Sequence, residues 1–233
     1  MPRELSLPLR RLLLLFMGGL AGVFAVLPHP GSHLGEFLAD AVLIGLATSA
    51  GTYLAPRTAL QSPVLDAALA GRPFARRGLA LAVQALGVGV VTTLLLLGLD
   101  ATLFAPRLTA APAAPPLWTG ALYALAGGLS EEVVFHYGLL AALAWVAQRV
   151  LPGTPAYWFA ITLTALALGM FHFASTAAVL SLTLLVAMRT LVLSALGGVA
   201  TGWLYWRRGL EAAMLAHAVV SCALHVAAPG VFG

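Results

Sequence analysis

Long apolar stretches separated by short polar breaks run the length of the chain, and none shows the period-two alternation of a half-buried strand. Crossing about 30 Å of hydrocarbon at about 1.5 Å per residue takes roughly twenty residues. Stretches of that order fall near residues 10–28, 36–55, 78–99, 117–147, 156–174, 179–206 and 210–228. They predict an all-α, polytopic transmembrane helical bundle with about seven or eight spans. The sixth stretch is interrupted by Arg189 and reads equally as a short re-entrant piece followed by a full span. A transmembrane barrel would instead show segments of about ten alternating residues, against the continuous Leu, Ala and Val runs found here. The run from Leu12 to Leu27, preceded by Arg3, Arg10 and Arg11, has the outline of a signal peptide, but the spans downstream favour an uncleaved first helix.

Composition supports the membrane reading. Hydrophobic residues make up 61% of the chain and charged residues 9%, where a soluble globule carries about a quarter charged. Every basic residue is Arg, and their positions sort by loop. Arg3, Arg10 and Arg11 precede the first span, Arg57, Arg72, Arg76 and Arg77 lie between the second and third, Arg149 follows the fourth, and Arg207 and Arg208 follow the sixth. Arg107 lies on the other side, before the Ala/Pro-rich loop Ala110 to Pro116. By the positive-inside rule this sets the N-terminus inside and the C-terminus outside. The net charge of +4 forms no Arg-rich patch with interleaved aromatics, so a nucleic-acid partner is not expected. Cys222, the single cysteine, has no partner for an internal disulfide and reads as a small core hydrophobe. No soluble domain or repeat stands out. Residues 1–116 supply N-terminal transmembrane helices, and 117–228 carry the polar chemistry within one integrated domain.

Charged side chains inside a span cost about 2.5 to 3.5 kcal/mol each on insertion scales, so they mark candidate sites. Glu131 and Glu132 are adjacent in the fourth span, where a helix turns them about 100° apart and gives them different tasks. Glu132 and His136, four apart, share a face. His172 lies in the fifth span, and His217, Ser221 and His225 form an i, i+4, i+8 stripe on the last. One carboxylate and two imidazoles from three helices suit hydrolysis, with Glu131 as general base towards water and His172 and His217 orienting it, stabilising an oxyanion or binding a metal. A lone membrane His more often bonds helix to helix than acts as a ligand, and His225, near the end of its span, reads as structural. His29 and His33 read as solvated loop residues. Gly127, Gly128, Gly197, Gly198 and Gly202 permit close helix approach.

These residues resemble the three motifs of the CAAX prenyl endopeptidase and bacteriocin-processing family of intramembrane proteases (CPBP, or Abi): E-E-x-x-x-R, F-x-x-x-H and H-x-x-x-N or D. Here the motifs stand as Glu131-Glu132-Val133-Val134-Phe135-His136, Leu168-Gly169-Met170-Phe171-His172 and His217-Ala218-Val219-Val220-Ser221. Gly197-Gly198, Gly202, Trp203, Tyr205, Gly209-Leu210 and Met214 lead into the third motif as small and aromatic residues do in the family. His136 replaces the usual Arg, Leu168 the usual Phe, and Ser221 the usual Asn or Asp. The resemblance covers about residues 117–228. It implies that Glu131 activates water, that His172 and His217 complete the centre, and that Glu132 with His136 supports it or orients substrate. Zinc is one cofactor option, with one Glu and two His as ligands; a metal-free glutamate mechanism is slightly preferred. The implied partners are a peptide or protein substrate and the lipid bilayer, and the implied location is the bacterial cytoplasmic membrane, with peptide maturation or sorting-signal processing expected rather than a literal prenylated CAAX substrate. The departures keep a non-catalytic immunity or scaffold relative in view, and buried Glu and His also suit a transporter or proton relay.

Two further expectations concern geometry. Arg189 is expected to supply the charge missing at position 136 by pairing with Glu132 or Glu131, or to snorkel at a span boundary. His172 lies deep in its span and His217 early in its own, so the fifth helix must tilt or begin before the membrane for the two to meet.

Overall fold

The computed structural model describes residues 6–26, 34–108 and 116–227. Arg3, His29, His33 and most of the Ala/Pro loop lie outside these. Among the described residues there is no strand. Within them, six helices are long and apolar enough to cross a membrane: Leu7–Val26, Leu34–Arg57, Ala75–Arg107, Trp118–Ala147, Thr154–Ala178 and Leu184–Arg208, with a shorter apolar helix at Leu210–His225. The protein is a polytopic helical bundle integral to the membrane. Large apolar side chains such as Leu46, Val83, Val91 and Leu94 cover its outer faces, the arrangement expected where lipid is the solvent.

The regular elements are α1 (Leu7–Val26), α2 (Leu34–Leu54), α3 (Pro63–Leu69), α4 (Ala75–Leu99), α5 (Leu117–Ala126), α6 (Ala141–Ala147), α7 (Thr154–Val179), α8 (Leu184–Arg208) and α9 (Leu210–Cys222). The sixth stretch contains no re-entrant piece, because α8 runs unbroken through Arg189. The short helix is α3 instead, in the loop between the second and third spans.

This loop gathers one end of the bundle. Arg11 donates to Asp66 at 2.5 Å, tying α1 to α3. The Glu211 carboxylate accepts from the Val64 and Leu65 backbone N–H groups at 3.0 and 2.7 Å, filling the donors that the first turn of α3 leaves open. The Leu210 N–H donates to the Gln61 carbonyl, and Tyr157 Oη donates to the Thr58 carbonyl at 2.6 Å. The starts of α1, α7 and α9 therefore meet the 58–66 segment at one end, among the Arg-bearing loops. Gly209 makes the α8–α9 turn with φ of 116° and with Pro63 packed where a Cβ would stand, which only glycine accommodates easily.

At about 1.5 Å per residue, the 26 residues of α7 exceed the hydrocarbon thickness, whereas the 13 residues of α9 fall short of it. His172, far along α7, and His217, early in α9, nevertheless both reach Glu131. α7 and α8 pack tightly, with Gly198 against Ala165. The fully buried core includes Tyr137 and Tyr205; the Tyr137 ring lies where a Cβ on Gly51 of α2 would be, and its hydroxyl meets Thr52 Oγ1 at 3.1 Å.

Candidate active site

Between α5 and α6 the fourth membrane helix is wound as a π-helix over Gly127–Leu140. This rare i to i+5 pattern is usually confined to short stretches at functional sites. Two shorter π segments occur at Asp100–Phe104 and Ala223–Ala227, so all three carry charged or imidazole side chains inside the bundle. The long one begins at Gly127, where a Cβ would lie 3.0 Å from both His217 Nε2 and Ser221 Oγ. That close approach brings α9 against the two glutamates. Behind them Ser130 Oγ donates to the Gly19 carbonyl of α1 at 2.9 Å.

The glutamates face different surroundings, as their adjacency requires. Glu132 is fully buried, while the Glu131 side chain keeps 20% exposure towards an internal cavity. One Glu132 oxygen accepts from His217 Nδ1–H at 2.8 Å. The other lies 3.0 Å from His136 Nδ1, although without the alignment of a hydrogen bond. In π winding, positions four apart no longer stack as squarely as in an α-helix, which accounts for the oblique meeting. The far nitrogen of His136, Nε2, donates to the Gly198 carbonyl at 3.1 Å, with Thr201 Oγ1 at 3.4 Å. Burying a carboxylate is costly unless it is partnered, and the two imidazoles fill that need where the family motif has Arg. Gly202 leaves room for the ring, since a Cβ there would stand 3.2 Å from His136 Nε2.

His172 donates from Nδ1 to the Leu168 carbonyl at 3.0 Å, because a carbonyl can only accept. With both Nδ1 atoms so engaged, His172 and His217 turn Nε2 towards Glu131, 3.4 Å from Oε1 and 3.6 Å from Oε2 respectively. Both distances exceed ordinary hydrogen bonds. Glu131 Oε2 has no hydrogen-bond partner among the described residues. The acid and the two rings predicted from three separate spans thus come together around one carboxylate.

A cavity of about 440 Å³ opens beside them, lined by Glu131, His172, His217, Ser221 and His225 together with apolar side chains from six helices. Ser221 faces it one turn beyond His217. His225, expected to be structural, lines it too, with its ring against Tyr123 at 5.2 Å and its Nδ1 donating to the Ser221 carbonyl at 2.9 Å.

Two expectations are corrected. Arg189 pairs with neither glutamate; its Nε and Nη2 donate to the two oxygens of Asp100 at 2.6 and 3.2 Å, because its position early in α8 matches the end of α4 rather than the glutamates' level. Asp100 went unnoticed in the sequence, although a second charge within an apolar run was the available signal. Cys222 is exposed rather than core, since α9 turns it about 100° away from buried Ser221. The first three spans also reach the site, through Gly19 behind Ser130 and through Val26 and Leu96 in the cavity wall.

One Glu and two His match a zinc site in kind. In arrangement they do not, for each ring meets a different oxygen of Glu131, and among the described residues no group of three or more His, Cys, Asp or Glu side chains is disposed to hold a metal ion.

Residues 113–223 match the family model described as type II CAAX prenyl endopeptidase Rce1-like. No curated protein and no solved structure matches the chain. The matched segment, a little under half of the chain, includes all three helices that bring Glu131, His172 and His217 together. The matched family is one of proteases, so at that level the kind of function is CAAX-type intramembrane proteolysis of a peptide or protein. The match over this segment supports membership of the CPBP family of intramembrane proteases.

Proposed function

We propose that the protein is an endopeptidase of the bacterial cytoplasmic membrane, its Arg-rich end facing the cytoplasm, that hydrolyses a peptide bond with water activated by Glu131. The observation that carries this reading is the Glu131 carboxylate, open to a cavity on one side and flanked by two imidazole Nε2 atoms at 3.4 and 3.6 Å. Glu131 takes a proton from water as the oxygen attacks the scissile carbonyl carbon. His172 and His217, protonated at Nε2, donate to the oxyanion that forms. Glu131 then returns its proton to the leaving amine as the C–N bond breaks, giving a carboxylic acid and an amine. Glu132 acts through His217, fixing the ring by its Nδ1–H bond as the buried carboxylate of a catalytic triad does. His136 and Ser221 complete the surroundings, the first by holding Glu132 and the second by lining the cavity.

The metal-free form is supported by the divergent contacts of the two Glu131 oxygens. Cleavage of a peptide library by native protein in membranes is compared with that by Glu131→Gln, His172→Ala and His217→Ala. Each variant is expected to lose about a hundredfold or more, the scale of a lost general base or oxyanion donor. Equal cleavage by all four ends the proposal. Activity that survives chelation supports the metal-free form, whereas stoichiometric zinc whose removal abolishes cleavage overturns it.

A further inference from the structure

The cavity beside Glu131 is lined from one direction only. α1 supplies Val26, its last residue, and α4 supplies Leu96, near its end. The fourth span gives Tyr123, Ala126 and Glu131, and nothing nearer Arg149. On α7 the lining begins at Leu168 and ends with Leu180 just past the helix, and on α9 it begins at His217 and reaches His225. On α8 it runs from Arg189 to Thr201 and stops short of Arg207 and Arg208. Among the described residues, every helix thus lines the cavity on the side away from the Arg-bearing loops. His172 stands about 12 Å along α7 from Leu180 and about 27 Å from Thr154. Towards the Arg-bearing loops the bundle is closed. Tyr137, Leu140, Leu204, Tyr205, Leu210 and Ala213 are each at most 1% exposed and belong to one packed core. Beyond them the 58–66 segment is held down by Glu211, by Tyr157 and by the Leu210 N–H.

Resting on the protease reading above, in which the Arg-bearing loops face the cytoplasm, we propose that the cavity takes its substrate from the extracytoplasmic side, as an extended apolar peptide segment. A route from the cytoplasm would have to part the dry layer of Tyr137, Tyr205 and their neighbours. The outer route passes Ser175, exposed on α7, and Thr176. The cavity measures about 440 Å³, whereas one turn of a helix about 11 Å across with a pitch of about 5.4 Å fills roughly 500 Å³. A helical turn therefore does not fit, and a scissile bond reaches Glu131 only in unwound chain. Leu96, Leu168, Phe171, Leu193 and Leu224 line the walls, so burial favours apolar side chains on that segment. The substrate class is the exported part of a protein or peptide at the outer face of the membrane, and not a cytoplasmic tail.

The test reads the side of entry and the cleavage separately. In Cys222→Ser protein, Ser175→Cys or Leu180→Cys places a thiol at the cavity, and Ala70→Cys places one at the end of α3 among the Arg-bearing loops. A membrane-impermeant sulfonated thiol reagent is added to right-side-out and to inside-out membrane vesicles. Both cavity thiols are expected to label at least about tenfold faster in right-side-out vesicles, and Ala70→Cys to show the reverse. Two peptide libraries are then added to right-side-out vesicles, one of Ala, Val, Leu and Phe and one of Ser, Asn and Gln, each peptide carrying two N-terminal Lys that keep it from crossing the bilayer. The apolar library is expected to slow labelling of Ser175→Cys severalfold and the polar one to leave it unchanged. Faster labelling of the cavity thiols in inside-out vesicles, equal labelling from both sides, or none from either overturns the proposal. So does labelling that both libraries slow equally or that neither slows. Cleavage of the apolar library by native and Glu131→Gln protein is followed in the same vesicles by mass spectrometry. One-sided labelling slowed by apolar peptides, without Glu131-dependent cleavage, keeps the entry side and ends the hydrolytic reading. Glu131-dependent cleavage that is faster in inside-out vesicles keeps the hydrolytic reading and overturns the entry side.

Discussion

Replacing Glu132 by Gln tests whether the buried carboxylate governs the site through His217. In the native arrangement one oxygen accepts from His217 Nδ1–H at 2.8 Å and the other lies 3.0 Å from His136 Nδ1. An amide has one accepting oxygen. It can keep the bond to His217 and present its NH2 to His136, or the reverse, and in neither case is the bond charge-assisted. A hydrogen bond to a charged group contributes about 1.5 to 3 kcal/mol, and about 1.4 kcal/mol is a factor of ten in rate. The turnover rate should fall on the order of tenfold to a hundredfold. KM should change little, because Glu132 is fully buried and does not line the cavity. Glu132→Ala should lose more, since His217 Nδ1 then lacks its acceptor and His136 its carboxylate neighbour. The assay is steady-state cleavage in nanodiscs with thermal unfolding in parallel. Turnover within about twofold of native in a Gln variant with an unchanged unfolding midpoint, or a loss confined to KM, would refute the reasoning.

Two structural predictions follow from packing. Gly51→Leu drives a Cβ to 2.4 Å from the Tyr137 ring and should destabilise the bundle by about 3 kcal/mol or more, the upper range for overpacking, lowering the unfolding midpoint; an unchanged midpoint would mean α2 is not wedged against the π segment. Glu211→Ala removes the acceptor for the Val64 and Leu65 N–H groups and should cost about 0.5 to 2 kcal/mol, as lost helix caps do, with faster proteolysis between residues 60 and 72 as the local readout. Unaltered cleavage kinetics there would show the cap to be idle.

The bundle was legible because lipid leaves so few choices: a long apolar run must satisfy its own backbone, and a helix does so. Spans could therefore be placed from hydrophobicity alone, and the intramembrane acids and imidazoles stood out by their cost. What could not be read was how the helices are wound. Glu132 and His136 were expected to stack at i, i+4 on an α-helix, whereas the π winding over Gly127–Leu140 makes them meet obliquely and hands one carboxylate oxygen to His217. Nothing in the local sequence signals that winding, because it is stabilised by neighbours such as α1 and α9. Arg189 was misassigned for a related reason. Its partner depends on which residue of another helix lies at its depth, and Asp100, 89 positions away, is a tertiary choice. Cys222 shows the limit of reasoning from an apolar run, since in a membrane the outward face is as apolar as the core.

The bond from Ser130 to the Gly19 carbonyl matters for anyone dissecting this protein. Trimming the chain to residues 113–223, the stretch that the family model matches, would remove the backing wall against which the acidic pair is seated. The amino-terminal helix thus buttresses the acidic pair mechanically, and excising it should loosen the very residues that the family match alone would single out as sufficient.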